Sequence, residues 1–85
     1  MKKLIIIGKD DCQFCKSAVE LSTVRKIPFE YFNVPKDLSL DEAYKKSEKI
    51  FSTFPMIYIE ENDEVKEHIG GFTELRQKIN KINLK

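Results

Sequence analysis

The sequence predicts an α/β fold in which a four-stranded mixed sheet is flanked by three helices. An unbroken apolar run, Leu4–Ile7, is typical of a strand that is buried on both faces. Segments with helical periodicity alternate with segments rich in aromatic and β-branched residues, as β-α-β units require. With 85 residues, of which 41% are hydrophobic, the chain can form one core, and we expect a single domain over residues 1–85.

The first half of the chain predicts a β-α-β unit. A segment with helical periodicity begins within Cys12-Gln13-Phe14-Cys15 and continues to about Lys26. We expect Ile27-Pro28 to end this helix, because the residue before a proline is disfavoured in the helical region. Phe29–Val34 is aromatic and β-branched and should form the second strand. The connection is long enough for a right-handed crossover between parallel strands.

A capping box predicts where the second helix begins. Ser39 and Glu42 are three residues apart, so that each side chain can bind the backbone N–H of the other residue. We expect the lysines of this helix on its solvated face. The inward face should be formed by Leu40, Ala43, Ser47 and Ile50.

The remainder of the chain predicts a β-hairpin followed by a helix. Met56–Ile59 and Val65–Ile69 are the two strands, joined by a turn at Glu60–Asp63. Gly70-Gly71 then ends the second of these strands. Apolar residues at intervals of three and four predict a last helix with one apolar face, formed by Phe72, Leu75, Ile79 and Ile82. The predicted order of elements is therefore β-α-β-α-β-β-α.

Composition and charge argue against several classes of function. The chain has 15 basic and 14 acidic residues and a net charge of +1, so no overall field attracts nucleic acid. No segment reaches the length of a transmembrane helix, and the N-terminus does not resemble a signal peptide. We therefore expect a cytoplasmic protein that binds neither nucleic acid nor membrane. The fold needs no partner chain, so we expect a monomer.

The pair of cysteines in Cys12-Gln13-Phe14-Cys15 lies where the first strand gives way to the first helix, with Asp10 and Asp11 as candidate N-caps. At a helix N-terminus, unpaired N–H groups and the helix dipole stabilise a thiolate. Cys12 is therefore the expected nucleophile, and Cys15 is close enough to form a disulfide with it. The alternatives are a pair of inert buried thiols or half of a zinc site, for which His68 alone cannot supply the missing ligands. The pattern thus predicts thiol–disulfide exchange and no metal site.

Four local signatures make the chain resemble the glutaredoxins, which have the thioredoxin-like fold. Cys12-Gln13-Phe14-Cys15 matches the redox motif of that family, and Lys9 matches a lysine common three residues before it. Thr53-Phe54-Pro55 matches a Thr-x-Pro motif whose proline is cis. Gly70-Gly71-Phe72-Thr73-Glu74 matches the turn that opens the last helix. The resemblance covers almost the whole chain, whose length is similar to that of short bacterial and viral glutaredoxins.

The resemblance implies a dithiol enzyme that reduces protein disulfides or glutathione mixed disulfides, with Cys15 as the resolving thiol. Glutathione would be the reductant or a substrate, and not a tightly bound cofactor. The other partners would be disulfide-containing client proteins, of which ribonucleotide reductase is typical for the family. The residues implied in binding glutathione are Lys9, Phe14, Thr53, Phe54, Pro55, Gly70, Gly71, Phe72 and Thr73.

Three departures from the family pattern leave other functions open. Gln13 and Phe14 replace the proline and tyrosine of the common Cys-Pro-Tyr-Cys motif. Ser52 stands where the family often has an arginine or another polar side chain that helps to hold glutathione. One alternative is a redoxin that is reduced by thioredoxin reductase. A second is a glutathione-dependent [2Fe–2S] carrier in which Cys12 of two chains binds the cluster, and a third is a redox-inactive interaction module.

Overall fold

Four strands and three helices follow one another in the residues that the computed structural model describes, 2–48 and 54–81. Their order is the predicted β-α-β-α-β-β-α. The strands are β1 (Lys2–Lys9), β2 (Phe29–Val34), β3 (Met56–Glu61) and β4 (Glu64–Gly70). The helices are α1 (Gln13–Val24), α2 (Leu40–Ser47) and α3 (Phe72–Lys78).

The strands form one mixed sheet in the order β2-β1-β3-β4. β1 runs parallel to β2, with Ile6 opposite Tyr31 and Gly8 opposite Asn33. β1 is antiparallel to β3, and β3 is antiparallel to β4. The central strand β1 is buried from Leu4 to Gly8, as its unbroken apolar run predicts. The four-stranded mixed sheet is therefore confirmed.

Alternate residues of β1 face opposite sides of the sheet, and each side has its own core. The core under α1 and α3 contains Leu4, Ile6, Ala18, Leu75 and Ile79. The core under α2 contains Ile5, Ile7, Ala43, Met56 and Tyr58. The sheet is thus a middle layer that fixes the start of α1 at the end of β1.

Helix α1 ends at Val24, slightly before the predicted end at about Lys26, and a backbone motif ends it before the proline is reached. Lys26 has the left-handed φ of 57°. The N–H groups of Lys26 and Ile27 donate to the carbonyls of Thr23 (3.1 Å) and Ser22 (3.0 Å). This pair of bonds is a Schellman motif, which satisfies the last carbonyls of a helix. The proline restricts only Ile27, which is already outside the helix.

Helix α2 begins at the predicted capping box. Ser39 Oγ accepts a hydrogen bond from the Glu42 N–H (3.1 Å), and the Glu42 carboxylate accepts one from the Ser39 N–H (3.0 Å). Ala43 and Ser47 are buried as expected, but Leu40 is 43% exposed. Leu40 is the first residue of the helix, so it has helical neighbours on one side only. Ile50 of the predicted stripe lies outside the described residues.

Two side chains connect α2 to the sheet, and one of them, Lys46, was expected on the solvated face of the helix. Lys46 Nζ lies 3.7 Å from Glu60 Oε1 and 4.9 Å from the centre of the Phe32 ring. His68 is half-buried, and its Nε2 lies 2.6 Å from the Ser47 carbonyl oxygen. A long cationic side chain such as Lys46 can bury its apolar stem while its ammonium group keeps a charged partner. The helical spacing of the lysines does not reveal this behaviour.

The β3–β4 hairpin turns at Asn62-Asp63, and Glu60 and Glu61 belong to β3. Asn62 and Asp63 have φ values of 53° and 66°. Positive φ at both positions defines the type I′ turn, which matches the twist of a two-residue hairpin. Leu75 in α3 and Ile79, its C-cap residue, are buried as predicted, and Ile82 lies outside the described residues.

Candidate active site

Cys12 and Cys15 form a disulfide at the N-terminus of α1, with their Cα atoms 5.2 Å apart. Cys12 is itself the N-cap, with extended φ and ψ of −108° and 107°. Its Sγ accepts a hydrogen bond from the Cys15 N–H at 3.2 Å. The sulfur therefore occupies the place of a capping oxygen, and in the reduced protein the same N–H can stabilise a thiolate there.

The prediction that Asp10 or Asp11 caps α1 is wrong. Asp10 Oδ1 accepts a hydrogen bond from Asn33 Nδ2 at 2.8 Å, which holds this carboxylate against β2. Asp11 has a left-handed φ of 59° and turns the chain into the helix. Both aspartates are thus diverted from the helix terminus, and Cys12 takes the capping position.

The two sulfurs differ in their access to solvent. Cys12 is 8% exposed, whereas Cys15 is 1% exposed. A disulfide or thiol of another molecule can therefore approach Cys12 more easily than Cys15. This difference favours Cys12 as the attacking thiol and Cys15 as the thiol that reacts with it internally.

An aromatic pocket of about 380 Å³ lies next to the redox motif. The exposed ring of Phe14 stacks on Phe72, with ring centres 6.1 Å apart and planes 24° from parallel. Lys9 Nζ lies 5.6 Å from the centre of the Phe54 ring, a cation–π contact. The Phe54–Pro55 peptide bond is cis, as the resemblance implied. The pocket is lined by Phe14, Phe54, Pro55, Gly71, Phe72, Thr73 and Glu74.

The turn before α3 brings backbone close to this pocket. Gly70 has a φ of 118°, a conformation that side-chain-bearing residues rarely adopt. A Cβ atom on Gly71 would lie 3.8 Å from the Pro55 carbonyl oxygen, so the turn and the cis-proline segment are neighbours. The Gly71 N–H donates to Glu74 Oε1 at 2.9 Å. This bond places a carboxylate at one end of the pocket.

A second, larger cleft of about 820 Å³ reaches the redox pair from the side of β2. Cys15 and Tyr31 both line it. Burial, followed by the nearby carboxylates of Asp10 and Asp37, raises the pKa of Tyr31 above its ordinary value. The remaining residues of its wall are Lys9, Asp10, Asp11, Lys16, Val19, Glu20 and Asn33.

A match to a known family assigns this fold and its redox pair, since the Glutaredoxin family model matches residues 4–66. The chain belongs to the glutaredoxin family. Its members are thiol–disulfide oxidoreductases, and this glutaredoxin is one, with the Cys12–Cys15 pair as its redox-active disulfide. It is 31% identical over 75 residues to the glutaredoxin of Enterobacteria phage T4, covering 78% of this chain and 82% of the phage protein.

Solved structures show the same fold. The crystal structure of glutaredoxin 1 from Francisella tularensis matches this glutaredoxin with a TM-score of 0.68 and 28% identity, covering 95% of both chains. A buckwheat glutaredoxin in complex with glutathione matches with a TM-score of 0.57 and 16% identity, covering 94% of this chain and 70% of that one. At that identity the second similarity shows the fold alone.

The structure brings most of the sequence-predicted binding residues of this glutaredoxin together. Six of the nine line the aromatic pocket. Lys9 contacts one of these six, Phe54, and Gly70 forms the adjacent turn. Thr53 lies outside the described residues, as does Ser52, the departure from the family pattern.

Three residues of the site were missed by sequence reasoning. Glu74 could have been found, because it stands three residues after Gly71, the spacing at which a side chain binds back to a helix start. Gly8 and Tyr31 meet Cys15 only through sheet register and helix packing, and no local pattern reveals that meeting.

Residues 2–48 and 54–81 contain neither a cluster of potential metal ligands nor a membrane-spanning helix. No group of three or more His, Cys, Asp or Glu side chains in these ranges could hold a metal ion. No helix in these ranges is long and apolar enough to cross a membrane.

Proposed function

We propose that this glutaredoxin reduces protein disulfides or glutathione mixed disulfides with electrons from glutathione. The observation that supports this most strongly is the aromatic pocket, which joins Phe14 of the redox motif to the Phe54-Pro55 segment and the Gly71–Thr73 turn. Glutathione is a substrate or reductant in this proposal, and the buckwheat glutaredoxin of the same fold was solved in complex with it.

The charges around the pocket suit a zwitterionic tripeptide. The extended backbone of the tripeptide would pair with the backbone at Phe54, as an added strand does. Lys9, beside the Phe54 ring, would attract the glycine carboxylate. The γ-glutamyl ammonium would face the Glu74 carboxylate, and its carboxylate would meet the N–H groups at Phe72 and Thr73. Each charge of glutathione would thus have an opposite partner.

The reaction would run through two exchanges. The Cys12 thiolate attacks one sulfur of the client disulfide, and the other sulfur leaves as a thiolate that takes a proton from water. Cys15, once deprotonated, then attacks Cys12 Sγ, which releases the second client thiol and forms the Cys12–Cys15 disulfide. Two glutathione molecules reduce this disulfide and leave as oxidised glutathione, so that two electrons pass in each cycle.

The direct test is turnover of a small glutathionylated disulfide with glutathione and glutathione reductase, and separately with thioredoxin reductase as the electron source. We expect glutathione to support turnover. The Phe14→Ala variant should raise the KM for the glutathionylated substrate several-fold, because it removes the ring stacked on Phe72. Val24→Ala, at a 76% exposed position of the same helix, is the matched control and should leave KM unchanged.

The opposite outcome of this test would replace the proposal. If thioredoxin reductase supports turnover and glutathione does not, the protein is a redoxin of the alternative kind. If anaerobic reconstitution with iron and sulfide gives a coloured dimer, cluster carriage is the better assignment.

The clients would be disulfide-containing proteins such as ribonucleotide reductase.

We further propose that residues 1–85 form a single monomeric domain that works in the cytoplasm. A glutathione-driven dithiol needs a compartment in which the glutathione pool is kept reduced, and the cytoplasm meets this requirement.

A further inference from the structure

Three elements bring the Tyr31 hydroxyl and the Cys15 sulfur to one point. Gly8 in β1 has no side chain, and the position that its Cβ would occupy lies 2.6 Å from Tyr31 Oη and 2.8 Å from Cys15 Sγ. Tyr31 reaches this point from β2, where it pairs with Ile6, and Cys15 reaches it from the first turn of α1. The phenol oxygen and the sulfur thus both border the space that glycine leaves.

No residue in the part of the chain that the structure describes donates a hydrogen bond to the Cys15 sulfur. The Cys15 N–H donates to Cys12 Sγ, so the helix terminus serves Cys12 and not Cys15. No hydrogen bond joins Tyr31 Oη to a residue within 2–48 or 54–81, Cys15 included, and Tyr31 and Cys15 line the same cleft. The Tyr31 hydroxyl is therefore a donor with no acceptor among these residues, and it lies near the Cys15 sulfur. Cys15 must ionise to a thiolate in the resolving step, and no described residue donates a hydrogen bond to it.

Burial and nearby carboxylates favour a protonated phenol at this point. The carboxylates of Asp10 and Asp37 act on Tyr31 and, with burial, raise its pKa. The phenol therefore keeps its proton at neutral pH and remains a donor. The other charged groups that line the cleft are Lys9, Asp11, Lys16 and Glu20, two of each sign.

We propose that Tyr31 is a positioning residue for the resolving step, in which its hydroxyl donates a hydrogen bond to the Cys15 thiolate. The Cys15 proton leaves to water in the cleft, and Tyr31 keeps its own proton throughout. The thiolate attacks Cys12 Sγ, so that the Cys12–Cys15 bond forms as the bond between Cys12 and the substrate sulfur breaks. The substrate sulfur leaves as a thiolate and takes a proton from water. The proposal depends on thiol–disulfide exchange and not on which reductant restores the dithiol.

The test isolates Cys15 in a Cys12→Ser background and measures its pKa from the pH dependence of alkylation by iodoacetamide. Adding Tyr31→Phe keeps the ring and removes the hydroxyl. A hydrogen bond to a charged group is worth enough to shift the Cys15 pKa upward by about one unit, a tenfold change in ionisation. Tyr58→Phe is the matched control, because the Tyr58 hydroxyl is buried on the opposite face of the sheet. It should leave the Cys15 pKa unchanged.

A rate measurement in the two-cysteine protein gives a second readout. A preformed mixed disulfide between Cys12 and a small thiol should resolve about threefold more slowly at neutral pH in Tyr31→Phe. The tenfold loss of thiolate is partly offset, because a thiolate of higher pKa is a better nucleophile. The deficit should vanish and then reverse at alkaline pH, where both proteins are ionised and the thiolate of higher pKa is the better nucleophile, whereas a purely structural defect would persist there.

An unchanged Cys15 pKa in Tyr31→Phe would overturn the proposal. If that variant does not fold, the ring-carbon NMR resonance of Tyr31 in the Cys12→Ser protein decides the matter. This resonance should shift with the same midpoint as Cys15 ionisation, and its failure to shift would also reject the role. Neither measurement uses glutathione, so failure here is separate from failure of the proposed function.

Discussion

Replacing Gly8 with alanine should displace Cys15 and damage both stability and exchange. The added Cβ would lie 2.6 Å from Tyr31 Oη, 2.8 Å from Cys15 Sγ and 2.9 Å from Cys15 Cβ. All three separations are shorter than real Cβ contacts, so something must shift. Cys15 is held by its helix and is 1% exposed, which leaves it little room to shift.

The expected loss of stability is the difference between two opposing contributions to the free energy of unfolding. Overpacking a filled core costs about 1–3 kcal/mol. The lower entropy of the unfolded alanine chain returns about 0.4–1 kcal/mol. A net loss of about 1–2 kcal/mol should lower the Tm by between about 5 and 15 °C in a domain of this size. A sulfur displaced by about 1 Å should also slow disulfide exchange by up to about 100-fold.

Thermal unfolding and the rate of protein-disulfide reduction by the reduced protein measure these two effects. Gly71→Ala is the matched stability control, because its Cβ would meet Glu74 Oε1 at 3.5 Å and the Pro55 carbonyl oxygen at 3.8 Å, ordinary contact distances. Gly8→Ala with the Tm and exchange rate of the parent protein would refute the packing argument.

Three further predictions concern the helix cap and the hairpin turn. Ser39→Ala should lower stability by about 1 kcal/mol, seen as a lower Tm, because Ser39 Oγ accepts from the Glu42 N–H. Hydrogen bonds from Ser39 lower the pKa of Glu42, so the contribution of this carboxylate is present above its unfolded pKa and is lost as pH falls through the lower folded value. The Tm difference between Glu42→Gln and the parent should therefore shrink on acidification, and a constant difference would contradict this. Asp63→Gly should raise the free energy of unfolding by up to about 1 kcal/mol, seen as a higher denaturation midpoint, since glycine adopts the φ of 66° without strain; a lower midpoint would show that the Asp63 side chain stabilises the turn.

The features predicted correctly from the sequence depend on local rules. The apolar run of β1, the capping box at Ser39 and the helical spacing of Leu75 and Ile79 each place an element within a few residues. The residues of the aromatic pocket were predicted from local motifs that match a family. Those that the structure describes do lie close together.

The features that were missed depend on contacts between distant segments. Asn33 holds Asp10 across the loop, which leaves Cys12 as the cap of its own helix. A left-handed Lys26 ends α1, although lysine has no special preference for that conformation. The meeting of Tyr31 with Cys15 requires the β1–β2 register and the packing of α1, neither of which any local pattern specifies.

Trapping of the mixed disulfide tests the central claim, that Cys12 attacks and Cys15 resolves. Reduced Cys15→Ser and Cys12→Ser proteins would each be mixed with a small glutathionylated disulfide, and the adduct located by mass spectrometry. We expect a stable adduct on Cys12 in Cys15→Ser, because Cys12 is 8% exposed and its sulfur accepts the Cys15 N–H. Cys15, which is 1% exposed, should react far more slowly in Cys12→Ser. An adduct that forms on Cys15 as fast as on Cys12 would contradict the assignment.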